Sequence, residues 1–359
     1  MREIVGYAPV EPDGSVRMKV PANVAFQISV LDQNGRRFSP IHRSWLQVRP
    51  GETLECNGCH VRNAATTTTT PLVHGRKGLF NSVYAGATAT GGAFPGTVNT
   101  ISPEAGDTMA RARSRAGSSC IDPTTTIEHC GLQSITPSAN VVYDEIWKPA
   151  AAPTDSFAFA YQQLTTFSPA NVGCFPTWTP TCRITIHYQT IGTRQGQIHP
   201  LWSVPRPLGG IDTNNDGVPE FPQTCTNCHS RVDPNDATVT QLPAASLELT
   251  DEASDEDALQ LRAYRQLLFA RPQLQLVMGA IQVVTVPGPP DDNGIPTQIV
   301  QTLPPSMAAG NARGARFFTV MNDSVHAGML STAELRLLSE WLDIGAQYYN
   351  DPFPPTPQN

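Results

Sequence analysis

The chain has 359 residues, 40% of them apolar and 15% charged, and a net charge of −7. It is long enough for two domains and apolar enough for a core, no stretch reaches the ~18 uninterrupted apolar residues of a membrane span, and the mild negative charge argues against nucleic acid as a partner. Only 7% of residues are aromatic against 33 Pro and 27 Gly, a mixture that favours loops and short strands over a helical bundle.

In chain order, the first fifty residues read as β structure. Val16, Met18 and Val20 alternate, as do Val24, Phe26, Ile28 and Val30. Asp13-Gly14 and Asn34-Gly35 supply tight turns beside them. A small β-sandwich-like module over 1–50 is expected. From about 63 to 185 the periodicity is weak. "NAATTTTT" and "YAGATATGGAFPGT" hold mostly small residues and bury too little apolar area to order themselves, so this stretch needs something large and apolar to wrap. Two helices are expected late. "SDEDALQLRAYRQLLFA" opens on Ser254 and acidic residues, with Ala258, Leu261 and Leu268 on one face. "STAELRLLSEWLDIGAQYYND" carries a capping box at Ser331 and Glu334, with Leu335, Leu338 and Leu342 on one stripe. Between them "VPGPPDDNGIPTQ" predicts a loop or hairpin tip.

The chemistry concentrates in two C-x-x-C-H motifs, Cys56/Cys59/His60 and Cys225/Cys228/His229. In a c-type haem site both thiols bond the vinyl groups along one porphyrin edge, and the adjacent imidazole ligates the iron. Zinc is the competing reading. Zinc ribbons space their cysteine pairs about 15–20 residues apart, whereas 165 residues lie between Cys59 and Cys225, and both pairs carry a following histidine. Two c-type haems are therefore expected: a first haem domain with long loops over 51–185 and a second, closed by the C-terminal helix, over 186–359. The fold class expected is mixed and loop-rich with few helices.

Each iron then takes a further axial ligand or none. His326, on the loop entering the C-terminal helix, is expected on the second haem, with Met321 and Met329 as competitors. His74, His199 and His187 stay open as partners of the first, and His42 and His129 read as ordinary loop histidines. "DTNNDGVPE" places Asp212, Asn214 and Asp216 at the alternate positions of a calcium loop, with Gly217 sixth, but Gln223 stands where the bidentate acid belongs. Ca2+ and an Asx-rich hairpin turn are the two readings. The other four cysteines, Cys120, Cys130, Cys174 and Cys182, form two close pairs in Pro/Thr/Ser-rich segments, where disulfides of an exported protein are expected. Residues 1–30 show no charged-then-apolar leader. Thioether-linked haem and disulfides nonetheless imply a periplasmic or extracellular protein, so an upstream part is expected.

"PVEPDGSVRMKVPANVAFQISVLDQNGRRF" followed by "RSWLQVRPGETLECNGCH" resembles the haem-bearing region of hydrazine synthase alpha-subunit-related proteins. "LSEWLDIGAQYYNDPF" is similar to the helix that closes their second haem domain. The resemblance covers roughly 1–65 and 320–359, and implies two c-type haems and, often, a preceding β-propeller. In hydrazine synthase a tyrosine four residues after the first motif's histidine ligates the reactive haem; Ala64 stands there in this chain. The resemblance thus implies the haem without that ligand, and His60 as an ordinary proximal ligand.

The leading expectation is an exported dihaem cytochrome with both irons six-coordinate, passing electrons to redox partner proteins. The alternatives are an enzyme whose His60 haem keeps an open face for peroxide or a nitrogen oxide, and an electron-conduit module joined to other cytochrome subunits.

Overall fold

The computed structural model describes residues 2–38, 44–54, 94, 97, 103–104, 107–116, 137–144, 146–147, 156–169, 182–189, 196–211 and 221–349. Residues 2–38 and 44–54 run as extended segments held by isolated bridges, Phe26 to Leu46 and Leu31 to Arg37, and by longer-range bridges of Ile4 to Ile184 and Tyr7 to Ser138. Both predicted turns form. Gly14 and Gly35 take φ of 80° and 73°, a conformation that costs glycine nothing. Glu11 N–H donates to the Ser15 carbonyl across the first turn, and Asp32 N–H to the Arg36 carbonyl across the second.

The first turn also organises α1 (Met109–Ala116). Asp13 Oδ2 accepts from Met109 N–H and Ser15 Oγ from Ala110 N–H, so two side chains from far upstream satisfy the orphan donors of the helix start. Buried Glu11 accepts from Trp147 Nε1 and from Arg113, beside a small cluster of Phe94, Met109, Ala112 and Trp147. Strands β1 (Val141–Asp144) and β2 (Ser156–Phe159) form an antiparallel pair.

The main core spans Ala139 to Tyr348, with Ile4 and Tyr7 packed against it. Ala139, Tyr161, Ile184, Ile186 and Tyr188 pack with Leu201 and Trp202 and with residues from Leu247 to Tyr348. The division expected after residue 185 runs through this core. Strands β3 (Arg206–Ile211) and β4 (Phe221–Gln223) pair antiparallel across a register shift and lead into the single turn α2 (Cys225–Cys228). After α3 (Arg262–Leu268) comes a run of hairpins. β5 (Arg271–Pro272) pairs with β10 (Thr302–Leu303), β6 (Leu274–Val277) with β7 (Ala280–Val283), and β8 (Thr285–Pro290) with β9 (Pro296–Val300). The hairpin expected from "VPGPPDDNGIPTQ" is β8–β9, turning at Gly294. Helices α4 (Arg316–Val320) and α5 (Thr332–Asp343) complete the chain.

α5 forms where the capping box placed it: Glu334 N–H donates to Ser331 Oγ, and Ser331 N–H to Glu334 Oε2. Its Leu337, Leu338, Trp341 and Leu342 are fully buried. Glu334 also meets Arg206, whose Nη1 reaches both carboxylate oxygens at 2.7 and 2.8 Å, inside the core. α3 begins later than expected, because the acidic residues meant to open it are engaged elsewhere. Ser254 Oγ bonds Glu256, Asp257 holds a turn through Leu259 N–H, Asp255 pairs with Arg262, and Ala253 bridges Leu261.

Candidate haem-binding site

The second C-x-x-C-H motif is wholly described. Its two cysteines lie three residues apart on the single turn α2, both unpaired, with Cys228 exposed. Three residues apart on a helical turn is the spacing that puts both sulfurs on one side. Thr224, before the turn, bonds Asn227 through its hydroxyl, and burial pushes the Cys225 thiol up.

His229 follows as the residue that ends the turn, its N–H donating to the Cys225 carbonyl at 3.1 Å. The chain then makes a narrow hairpin, Val232 bridging Thr240, which returns to the motif through Gln241. Gln241 Nε2 donates to the Asn227 carbonyl at 2.8 Å and to Ser230 Oγ at 3.0 Å. The segment 247–249 runs along the other side. Leu249 N–H donates to the His229 carbonyl at 2.8 Å, and the Leu247 carbonyl lies 3.1 Å from His229 Nδ1. Between these two leucines Glu248 is buried and pairs with both Arg231 and Arg262. That carboxylate pins the segment that fixes the His229 ring.

His326 arrives from the loop between α4 and α5. Its ring lies 6.3 Å from that of His229, centroid to centroid, with 29° between the planes. Asp323 Oδ1 accepts from the His326 backbone N–H at 3.0 Å and lies 2.9 Å from its Nδ1. Both imidazoles therefore have Nδ1 against an oxygen acceptor. A carbonyl or carboxylate beside Nδ1 holds the proton there and leaves the Nε2 lone pair available, as a metal-ligating histidine requires. Burial holds the His229 imidazole below its ordinary value and so keeps it neutral, while the His326 hydrogen bond holds Asp323 low and charged.

Two imidazoles bound to opposite sides of one metal ion stand about 6 Å apart between ring centres, given a metal–nitrogen bond of about 2 Å on each side. The observed separation fits. Among the described residues no group of three or more His, Cys, Asp or Glu side chains is placed to hold a metal ion. Two imidazoles and two free thiols are also the donor types of a c-type haem site.

His187 and His199 are buried in the core. Backbone N–H of His187 donates to Gln197 Oε1, burial pushes its imidazole down, and the His199 ring packs 5.5 Å from Tyr188. Met321 packs against the core. Cys182 is buried and disulfide-bonded. Cys56, Cys59, His60, His74, Asp212, Asn214 and Asp216 lie outside the described residues. Sequence reasoning missed Asp323, Glu248 and Gln241. Asp323, three residues before His326, left a readable signal; Glu248 and Gln241 act through long-range packing and left none.

A family model, the hydrazine synthase alpha subunit middle domain, matches residues 1–61, which relates this part of the chain to that family. The match ends just past the first C-x-x-C-H motif and does not reach the second. No curated protein and no solved structure matches the chain. Among the described residues no helix is long and apolar enough to cross a membrane.

Proposed function

We propose that the chain is an exported c-type cytochrome that passes electrons, with one haem on Cys225, Cys228, His229 and His326 and another on Cys56, Cys59 and His60. The observation that carries the reading is the pair of facing imidazoles, each anchored through Nδ1, beside two free thiols on one helical turn. When bound, such a haem supplies a one-electron couple whose potential follows its axial ligands and burial.

The roles of the chain's own groups follow. Cys225 and Cys228 would hold the porphyrin edge through their sulfurs. His229 and His326 would both hold the iron, which favours electron transfer over catalysis at this site. The Leu247 carbonyl and the Asp323 carboxylate, each against an Nδ1, would hold the Nδ1 protons and the ring orientations. The relation of residues 1–61 to a subunit of hydrazine synthase favours a role within a larger assembly.

Production with the covalent haem-attachment machinery, followed by peptide mapping and optical spectroscopy, tests this. The expected result is a tetrapyrrole on the peptide carrying Cys225 and Cys228 and a low-spin spectrum insensitive to carbon monoxide at that site. His326→Ala should convert this haem to a high-spin form that binds carbon monoxide. A mature protein with both thiols unmodified, or a variant spectrum identical to the parent's, overturns the proposal.

A further inference from the structure

Among the described residues three arginines are buried, Arg206, Arg271 and Arg336. Arg206 pairs with Glu334 and Arg336 with Glu340. Arg271 meets no carboxylate among the described residues. Its guanidinium donates to backbone carbonyls alone, from Nε and Nη2 to Ala245 at 3.3 and 3.1 Å, and from Nη1 to Pro304 at 3.0 Å and Gln266 at 3.5 Å. Those contacts engage four of its five N–H groups and leave one hydrogen on Nη2 without an acceptor. They also leave its charge uncancelled, and a cation taken out of water is ordinarily held against an anion.

A second cation enlarges the local excess. Arg316, at the start of α4, is exposed and pairs with no carboxylate among the described residues. Burial, and then this like-charged neighbour, hold the Arg271 guanidinium below its ordinary value. Arg271 stands close to the second motif. It enters from β5 and bonds the Ala245 carbonyl, two residues before the Leu247 carbonyl that faces His229 Nδ1. At most about 7 Å of chain therefore separates the two contacts. After burial, the charge of Arg271 is among the influences that hold the His229 imidazole low.

The haem proposed at this site brings anions of its own. The Cys225 and Cys228 sulfurs take its vinyl edge, and its far edge carries two carboxylate side chains. We infer that buried Arg271, with Arg316 beside it, receives those haem carboxylates. The inference rests on the haem reading above and adds which of the chain's groups meet the anionic edge. A planar guanidinium with a spare N–H matches a carboxylate in shape as well as in charge. The pairing cancels the buried charge of Arg271, and no covalent bond is made or broken.

The test uses the whole chain, matured with haem whose propionate carboxyl carbons are isotopically labelled. It is read by spectroelectrochemical titration and by redox-difference infrared spectroscopy. The relevant haem is the one whose Soret band responds to His326→Ala. Arg271→Gln should lower its midpoint potential, since a cation removed from beside the iron favours the more positive oxidised state. The same variant should shift the isotope-sensitive carboxylate band. Arg271→Lys keeps the charge and loses the planar fork, so it should hold most of the potential while still shifting that band. Arg316→Gln should move potential and band as Arg271→Gln does, by less. Equal potentials in the Gln and Lys variants of Arg271, or an isotope-sensitive band that neither moves, overturn the proposal, because Arg271 then serves only to clamp carbonyls. Should Arg271→Gln fail to fold, the band in Arg271→Lys and Arg316→Gln decides, and an unmoved band in both overturns the proposal. A mature chain without haem on Cys225 and Cys228 defeats the cytochrome reading and this inference with it, whereas attached haem with an unmoved band defeats this inference alone.

Discussion

Two histidines 97 positions apart stand 6.3 Å ring to ring, and what makes them a pair is the oxygen behind each one. Cys225, Cys228 and His229 were legible from spacing alone, and His326 from its place before a capped helix. The anchors were not: one is a backbone carbonyl brought in by segment 247–249, which no side-chain pattern announces, and the other is Asp323, which looks like any turn residue. Asp323 gives the sharper test. In the proposed haem site its carboxylate would strengthen the imidazole as a donor and favour the oxidised iron. Asp323→Asn, with a weaker neutral acceptor, should raise the potential of this haem in spectroelectrochemical titration while the spectrum stays low-spin. An unmoved potential would mean that Asp323 only shapes the loop.

At the scale of elements, the parts set by neighbouring residues were readable and those set by distant partners were not. The Ser331/Glu334 box fixed the start of α5, and the Pro-, Asp- and Gly-rich run fixed the β8–β9 tip. Ser254 and its acidic neighbours looked equally like a helix start, but Arg262 and Arg265 draw them into ion pairs and α3 waits until Arg262. Ile184, Ile186 and Tyr188 alternate in "ITIHY", a short run that sequence reasoning left unread, and nothing local says that it packs in one core with α5. Glu334 does two jobs, capping and charge pairing, and these separate by mutation. Ser331→Ala removes one cap bond and should cost about 1 kcal/mol in denaturant unfolding. Glu334→Gln leaves buried Arg206 uncompensated and should cost about 3–5 kcal/mol. Equal losses would show that Arg206 finds another counter-charge.

Across the whole molecule, one polar network and one core join segments that sequence reasoning had divided. Tyr7 from the N-terminal part meets Tyr161 at 3.0 Å, Tyr161 donates to Glu340 Oε2 at 2.9 Å, and Arg336 donates to Glu340 Oε1 at 3.0 Å. Burial pushes the Glu340 carboxyl above its ordinary 4.5, against the pull of Arg336 and the two tyrosines. The folded protein thus holds this proton more tightly than the unfolded chain does. Its contribution to stability is complete below about 4.5 and declines as pH rises through the window above it. Glu340→Gln should remove that decline, so the difference in unfolding free energy between parent and variant should drift in the variant's favour as pH rises across this window. The shared core makes the stronger claim. Among the described residues, the α-helices after α1 all begin at or beyond Cys225, so a melt followed by helical circular dichroism reports chiefly on the C-terminal part. Ile184 lies in the other expected domain, yet it is fully buried in the same cluster as Leu337 and Trp341. Ile184→Ala removes buried methyl groups and leaves a cavity, at a cost of about 2–5 kcal/mol. If the core is continuous, that loss lowers the midpoint of the helical melt and the transition stays single. A separate domain ending at residue 185 would instead leave the helical transition where it was and melt by itself at a lower temperature.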